Sequence, residues 1–164
     1  MFKLDIRYRQ DVTPADQQNV HDIVESTGFF SPDELNIAVE LVTERLQKGL
    51  ESGYHFLFAE FEESTIGYSC FGPIPATRYS YDLYWIAVHK DWRGKGIGRL
   101  VLDASEKAIK NLGGQRVYIE TSGRDQYSPT RAFYISCGYR EEAHLEGFYA
   151  PGDAKYFYVK VLGD

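Results

Sequence analysis

The sequence predicts a mixed α/β fold of the α+β type, with a central, mostly antiparallel sheet of about seven strands and helices on both faces. Strand-like runs at 55–61, 65–71 and 79–88 follow one another through short connections, which is typical of an antiparallel meander. A glycine-rich turn at 91–99 then leads through a helix pattern to another strand at 116–121. Such a strand–helix–strand crossover predicts one parallel pair within the sheet.

The N-terminal part predicts a strand and then a helix. Residues 2–9 alternate apolar and charged side chains, which is the two-residue period of a half-buried strand. Thr13 and Pro14 are suited to the N-cap and the first helical position, and Gly28 is suited to the end of that helix.

The remaining elements follow from the same signals. Ser31 is predicted to cap a second helix, which runs towards Gly49 or Gly53. The helix of the crossover is predicted to run from near Gly96 to about Asn111, and Gly113 and Gly114 end it. The last elements are a short helix and two strands, at residues 131–136, 139–149 and 155–162.

Length and composition predict one domain spanning residues 1–164. No apolar run is long enough to span a bilayer and the N-terminus does not resemble a signal peptide, so we expect a cytoplasmic protein without a membrane partner. Cys70 and Cys137 have no metal-binding or redox spacing and are expected to be buried. The histidines fall on different predicted elements, so no metal site is expected; they are His21, His55, His89 and His144.

Charge is distributed unevenly along the chain. Residues 1–89 contain 6 Lys or Arg against 14 Asp or Glu, whereas residues 90–164 contain 12 against 10. This balance does not favour nucleic acid as a partner. It is compatible with an anionic ligand held by the second half and a neutral or cationic one near the first, and a solvated acidic face explains the same count.

The turn at 91–99 has the features of a phosphate cradle. Gly94, Gly96 and Gly98 allow a sharp turn and a close approach of a ligand to the backbone. The N-terminus of the following helix favours an anion. The glycine spacing matches neither a P-loop nor a dinucleotide-binding fingerprint.

In its wider context, this turn resembles the acyl-CoA pyrophosphate motif of the GNAT acetyltransferase superfamily. The resemblance includes Arg93-x-x-Gly96-x-Gly98, the strand that ends at Val88, and Ala132-Phe133-Tyr134-x-x-x-Gly138-Tyr139. It also includes the order of elements over nearly the whole chain. The resemblance implies an enzyme that uses acetyl-CoA, with the two parallel strands splayed apart at the thioester, between Val88 and Glu120.

The resemblance also assigns residues to the donor. The turn would bind the pyrophosphate through its backbone, at Arg93, Gly94, Lys95, Gly96, Ile97, Gly98 and Arg99. Main-chain groups of Ile86, Ala87 and Val88 would pair with the pantetheine arm, and a backbone N–H near Val88 would bind the oxyanion. Arg131 or Lys90 would contact the nucleotide's 3′-phosphate. Tyr127 stands where many members have an asparagine that contacts the cofactor, and is expected to pack over the cofactor or to shape the acceptor pocket.

Two residues match catalytic positions of the family. Glu120 resembles the general base, acting directly or through water, and the alternative is a carboxylate in a surface ion pair. Tyr134 matches the tyrosine that protonates the departing sulfur, and the alternative is an aromatic side chain in the core. A base is useful because deprotonating a lysine-type ammonium at pH 7 costs roughly 4.6 kcal/mol, against about 1 kcal/mol for an α-amino group.

The expected reaction is transfer of an acetyl group from acetyl-CoA to the primary amine of a small molecule, by direct attack in a ternary complex. Acidic residues of the first half favour a cationic acceptor: Asp33, Glu34, Glu60 and Asp82. Two alternatives are a peptide or protein N-terminal or lysine acetyltransferase, and an acyl-CoA-binding regulatory module without catalysis. The sequence leaves a homodimer open as the assembly.

Overall fold

The computed structural model describes residues 4–163. This part of the chain separates into two compact units. Unit 1 comprises residues 4–72 and Trp85–Ala108, and unit 2 comprises Pro73–Tyr84 and residues 109–163. The helices are α1 (Ala15–Ser26), α2 (Pro32–Lys48), α3 (Ile97–Asn111) and α4 (Ser128–Ser136). The strands are β1 (Arg7–Arg9), β2 (His55–Phe61), β3 (Ser64–Pro73), β4 (Ser80–Val88), β5 (Arg116–Ser122), β6 (Arg140–Ala150) and β7 (Asp153–Val161).

The described strands form a seven-stranded sheet in the order β1-β2-β3-β4-β5-β7-β6. Strand β2 pairs antiparallel with both β1 and β3, and strand β7 pairs antiparallel with both β5 and β6. Strands β4 and β5 pair parallel, through Ser80–Asp82 with Arg116–Tyr118. This confirms the predicted mixed sheet, mostly antiparallel with one parallel pair.

Strand β1 is shorter than predicted. Residues 2 and 3 of the predicted strand lie outside the described residues, and Leu4 to Ile6 are not in a strand. Arg7 pairs with Glu60, and β2 reaches its hairpin turn one residue later, after Phe61. A strand needs the backbone of a neighbour as well as an alternating pattern, and here the neighbour ends.

The predicted N-cap of α1 is also wrong. Pro14 occupies the N-cap position, and no side chain caps the helix there. The Asp16 carboxylate instead accepts the Thr13 N–H at 2.8 Å and two hydrogen bonds from the Arg9 guanidinium, each at 2.8 Å. Asp16 is fully buried. Burial raises the pKa of its carboxyl group, but the hydrogen bonds from Arg9, Thr13 and Asn19 outweigh burial and lower the pKa below its usual value.

Helix α2 begins as predicted. The Ser31 hydroxyl accepts the Glu34 N–H at 3.2 Å, and the Glu34 carboxylate accepts the Ser31 N–H at 3.1 Å, which forms a capping box. Apolar residues of α1 and α2 pack on β2, β3 and the end of β4 to form the core of unit 1: Val20, Ile23, Val24, Ala38, Val42, Phe56, Phe58, Tyr68, Cys70 and Ala87.

Unit 2 is organised around β5 and the β6–β7 hairpin. Its buried residues include Val117 and Ile119 of β5 and Tyr158 of β7. Gly138, at φ +93°, ends α4 as predicted, and the Lys160 ammonium donates to the Cys137 carbonyl at 2.9 Å.

Both cysteines are buried thiols, which confirms that prediction. Among the described helices, none is both long and apolar enough to cross a membrane.

Candidate active site

The glycine-rich turn between β4 and α3 has open space beside its backbone. Gly94 and Gly96 adopt φ values of +74° and +78°, which residues with a side chain rarely adopt. A Cβ added to either glycine would meet no described heavy atom within 4 Å. Helix α3 begins at Ile97, and the N–H groups of a first helical turn have no acceptor within the helix. The space and the adjacent helix N-terminus therefore fit a pyrophosphate.

Side chains hold this turn in place within unit 1. The Arg93 guanidinium donates to the Thr27 carbonyl at 3.1 Å, which ties the turn to the end of α1. The Lys95 ammonium lies 4.9 Å from the centre of the Trp92 ring. These basic residues therefore support the turn, and their contact with phosphate stays a prediction.

The last residues of β4 lie close to β3. A Cβ on Gly67 would lie 3.2 Å from the Ala87 carbonyl oxygen, so a side chain at this position would push the two strands apart. The His89 N–H donates to the Ile66 carbonyl at 2.8 Å. The end of β4 is thus fixed at Ile86–Val88, the segment predicted to pair with pantetheine.

Glu120 lies on β5 of unit 2 and forms an ion pair. Its Oε2 atom is 2.8 Å from the Lys155 ammonium on β7. The Glu120 side chain is 45% exposed, whereas that of Lys155 is 12% exposed. This pair matches the alternative that the sequence left open for Glu120. It also shows that the carboxylate binds an ammonium group while remaining accessible, as a base for an amine substrate must be.

Asp82 joins Glu120 on one face of unit 2, which sequence reasoning missed. Asp82 pairs with Tyr118, two residues before Glu120, so the two carboxylates lie on the same face of the sheet. Burial, followed by the nearby charge of Glu120, raises the pKa of Asp82 to about 6, although Lys155 partly offsets these effects. The sequence indicated Asp82 only as part of an acidic half, because strand register is not visible in a sequence.

Tyr134 lies buried in α4. Its ring centre is 6.0 Å from that of Tyr139 and 6.2 Å from that of Tyr158. Burial, and to a smaller extent Cys137, raises the pKa of the Tyr134 phenol. The phenol is therefore protonated at neutral pH, as a proton donor to a leaving thiolate must be.

Arg131 connects two parts of unit 2. Its Nη1 atom donates to the Ser122 carbonyl at 2.7 Å and to the Arg124 carbonyl at 3.0 Å. The guanidinium of Arg124 lies 5.3 Å from the centre of the Tyr127 ring. Arg131 thus holds the end of β5 and the segment after it, and its contact with the nucleotide, like that of Tyr127, stays a prediction.

The other predicted acidic residues and Lys90 belong to unit 1. Glu34 completes the cap of α2, where Asp33 also lies in the first turn. Glu60 accepts a hydrogen bond from Arg9 Nε at 3.3 Å. The backbone N–H of Lys90 donates to the Ser26 hydroxyl at 3.1 Å. Of the predicted acidic residues, Asp82 belongs to unit 2, as Glu120 does. Residues 4–163 contain no group of three His, Cys, Asp or Glu side chains suited to a metal ion.

Comparisons with known proteins agree with this architecture. Residues 52–141 match the family model described as an acetyltransferase (GNAT) domain. An N-alpha-acetyltransferase of Saccharolobus solfataricus is 29% identical over 122 residues, which cover 68% of this chain and 72% of the relative.

Two solved structures extend the comparison. A GNAT-family protein from Desulfovibrio desulfuricans has a TM-score of 0.94 and 44% identity, covering 96% of this chain and 99% of its own. An aminoglycoside 6′-N-acetyltransferase complexed with coenzyme A has a TM-score of 0.76 at 15% identity, covering 96% of this chain and 98% of its own. At that identity, the second likeness concerns the fold alone.

Proposed function

Since the chain belongs to the GNAT family of N-acetyltransferases, for which acetyl-CoA is the donor, we propose that its acceptor is the primary amine of a small cationic molecule. The observation that carries this choice is the pair of carboxylates on one face of unit 2, Asp82 and Glu120. Two neighbouring carboxylates attract a cation and repel an acidic acceptor.

The proposed role of unit 1 is to hold the donor. Open space beside Gly94 and Gly96, together with the N-terminus of α3, suits the pyrophosphate, which the backbone N–H groups would bind. The main chain of Ile86–Val88 would bind the pantetheine arm in the manner of an added strand. These backbone contacts involve only the CoA part of the donor. They therefore do not select the acceptor.

The proposed role of unit 2 is to transfer two protons, one away from the acceptor amine and one to the leaving sulfur. Glu120 accepts the proton of the acceptor ammonium, which frees the nitrogen lone pair to attack the thioester carbonyl carbon. As the carbon–sulfur bond breaks, the nitrogen releases its second proton to water, and Tyr134 donates its phenolic proton to the sulfur and is later reprotonated from solvent. The products are an N-acetylated amine and free CoA thiol. Asp82 adds negative charge that favours a cationic acceptor.

A second candidate acceptor is the α-amino group of a peptide. It is favoured by the 29% identity to an N-alpha-acetyltransferase. An α-amino group also needs less help from a base, because it loses its proton near pH 8.

A thiol-release assay separates these acceptors. The protein is supplied with acetyl-CoA and a panel of small primary amines, peptides with a free N-terminus, and N-terminally blocked peptides containing lysine. We expect the highest kcat/KM with small amines that carry more than one positive charge. A higher kcat/KM with free N-termini would overturn the proposed acceptor and favour the peptide candidate.

A further inference from the structure

Lys155 is surrounded by aromatic rings in addition to its carboxylate partner. Its ammonium lies 4.2 Å from the centre of the Phe148 ring, 5.0 Å from that of Phe157 and 5.9 Å from that of Tyr149. Glu120 completes the set at 2.8 Å. A positive charge is attracted by the faces of aromatic rings within about 6 Å. We call the set formed by Glu120, Phe148, Tyr149 and Phe157 the ammonium cage.

An irregularity in β6 brings two of these rings to one place. Strand β6 pairs with β7 up to Leu145 and again at Ala150, and the register shifts between these residues. Gly147 lies in this stretch with φ +64°. Consecutive residues of a regular strand point to opposite faces, yet Phe148 and Tyr149 both approach the Lys155 ammonium. Bulges that redirect side chains are frequent beside functional sites.

The cage is more elaborate than a supporting ion pair requires. The ammonium of Lys95 lies over one ring, that of Trp92, and the ammonium of Lys160 over that of Tyr139. Lys155 contacts three rings. Moreover, Phe148 is 52% exposed and Tyr149 is 48% exposed. Rings left open to solvent allow the bound ammonium to be exchanged without unfolding.

We propose that the ammonium cage binds the cationic head of the acceptor amine, and that Lys155 is an internal occupant which the acceptor displaces. The proposal rests on the proposed function and names the group through which that function selects its substrate. An alkylammonium carries the same charged group as a lysine side chain, so the contacts that hold Lys155 suit it equally. Asp82 interacts electrostatically with both Glu120 and Lys155, and therefore adds to the attraction for a cation.

The first test uses tetramethylammonium chloride, which binds aromatic cages and cannot be acetylated. Its dissociation constant is measured by calorimetry without acetyl-CoA, for the wild-type protein and for Lys155→Met. Methionine keeps an unbranched side chain of similar size but removes the competing charge. We expect about tenfold tighter binding to the variant, as the loss of an internal competitor of modest affinity implies.

Matched variants identify the site of binding. Lys160→Met also removes a β7 lysine that lies over a ring, and it should leave the dissociation constant unchanged. Adding Phe148→Ala to Lys155→Met should remove the gain. A folded Lys155→Met protein with no gain in affinity would overturn the proposal.

A second measurement uses only the wild-type protein, and so does not depend on the folding of a variant. Lysines are labelled with an amine-reactive acetyl ester in saturating tetramethylammonium chloride or in sodium chloride at equal ionic strength, and the sites are quantified by peptide mass spectrometry. Displacement should raise the labelling rate of Lys155 several-fold and leave that of Lys160 unchanged. An unchanged rate at Lys155 would overturn the proposal.

These readouts are independent of turnover. If no small amine supports thiol release but the gain in tetramethylammonium binding persists, the cage stands and the proposed acceptor class fails. If small amines are acetylated but neither binding nor labelling responds, the cage fails and the proposed function stands.

Discussion

The candidate donor site in unit 1 and the candidate acceptor site in unit 2 consist of different chemical groups. In unit 1, the turn that suits the donor depends on left-handed glycines and the N-terminus of α3, which are properties of a short continuous stretch. In unit 2, the proposed acceptor site depends on the side chains of Asp82, Glu120 and Lys155, which different strands bring together. A site formed by backbone groups tolerates substitution of the surrounding side chains but not of its glycines. A site formed by side chains loses function even when a substitution replaces a single side-chain atom.

The largest effect is expected from Gly96→Trp, which tests the candidate donor site in unit 1. The indole would occupy the open space beside Gly96, whose φ is +78°. We therefore expect acetyl-CoA affinity to fall at least about a hundredfold. Calorimetry measures the dissociation constant. Gly49→Trp is the matched control, since Gly49 in unit 1 also has a left-handed φ of +63° and no described atom near a Cβ. Both variants should lose about 1–2 kcal/mol of stability, but only the first should lose affinity. Retained affinity in Gly96→Trp would show that the turn does not bind the donor.

The next effect concerns Tyr134 in unit 2. Tyr134→Phe removes the phenolic proton but keeps the ring, so kcat should fall about 100-fold while the dissociation constant for acetyl-CoA hardly changes. Steady-state thiol release and calorimetry measure the two quantities. Tyr158→Phe provides the control, because that buried ring lies 6.2 Å from the Tyr134 ring. Equal rates in wild type and Tyr134→Phe would remove this residue from the mechanism.

Glu120→Gln should have a smaller effect that depends on pH. Without the carboxylate, kcat should fall about tenfold at pH 7 and recover partly at pH 9, where solvent deprotonates more of the acceptor amine. The comparison variant is Glu142→Gln, which removes another ion-paired carboxylate of unit 2, 3.2 Å from Arg140. A loss of equal size at every pH would argue for a structural role through Lys155 instead of a base.

The smallest effect is expected from Asp82→Asn, and it concerns stability. Because the pKa of Asp82 is raised to about 6, the folded protein holds this proton more tightly than the unfolded chain. The stabilisation is present below about pH 4 and is lost as the pH rises to about 6. Asparagine stays neutral, so the variant should be more stable than wild type at pH 8 by about 1 kcal/mol, after allowance for solvent screening. Thermal unfolding at pH 4 and pH 8 measures this, with an increase in Tm of about 2–4 °C at pH 8 only. An equal change at both pH values would contradict the assignment.

Most of the fold was predictable from local patterns. Capping residues such as Ser31, glycines such as Gly138 and the strand-like runs of β2 to β5 act over a few residues, and the structure confirms the elements they predict. The errors arose where a distant partner decides the outcome. Strand β1 begins only at Arg7, beside the turn that follows β2. No side chain caps α1, and the Asp16 carboxylate instead accepts hydrogen bonds from Arg9 and Thr13 within unit 1.

The sequence by itself determined the family, the donor and the form of the glycine-rich turn, because these features depend on glycine spacing and on the order of elements along the chain. Only the tertiary structure decided which side chains meet at Glu120. Lys155, Phe148 and Asp82 lie on three other strands, and their proximity to Glu120 depends on strand register and on the register shift between Leu145 and Ala150. A shift of one residue in a strand reverses the face of every side chain, and pairing between distant strands settles that shift.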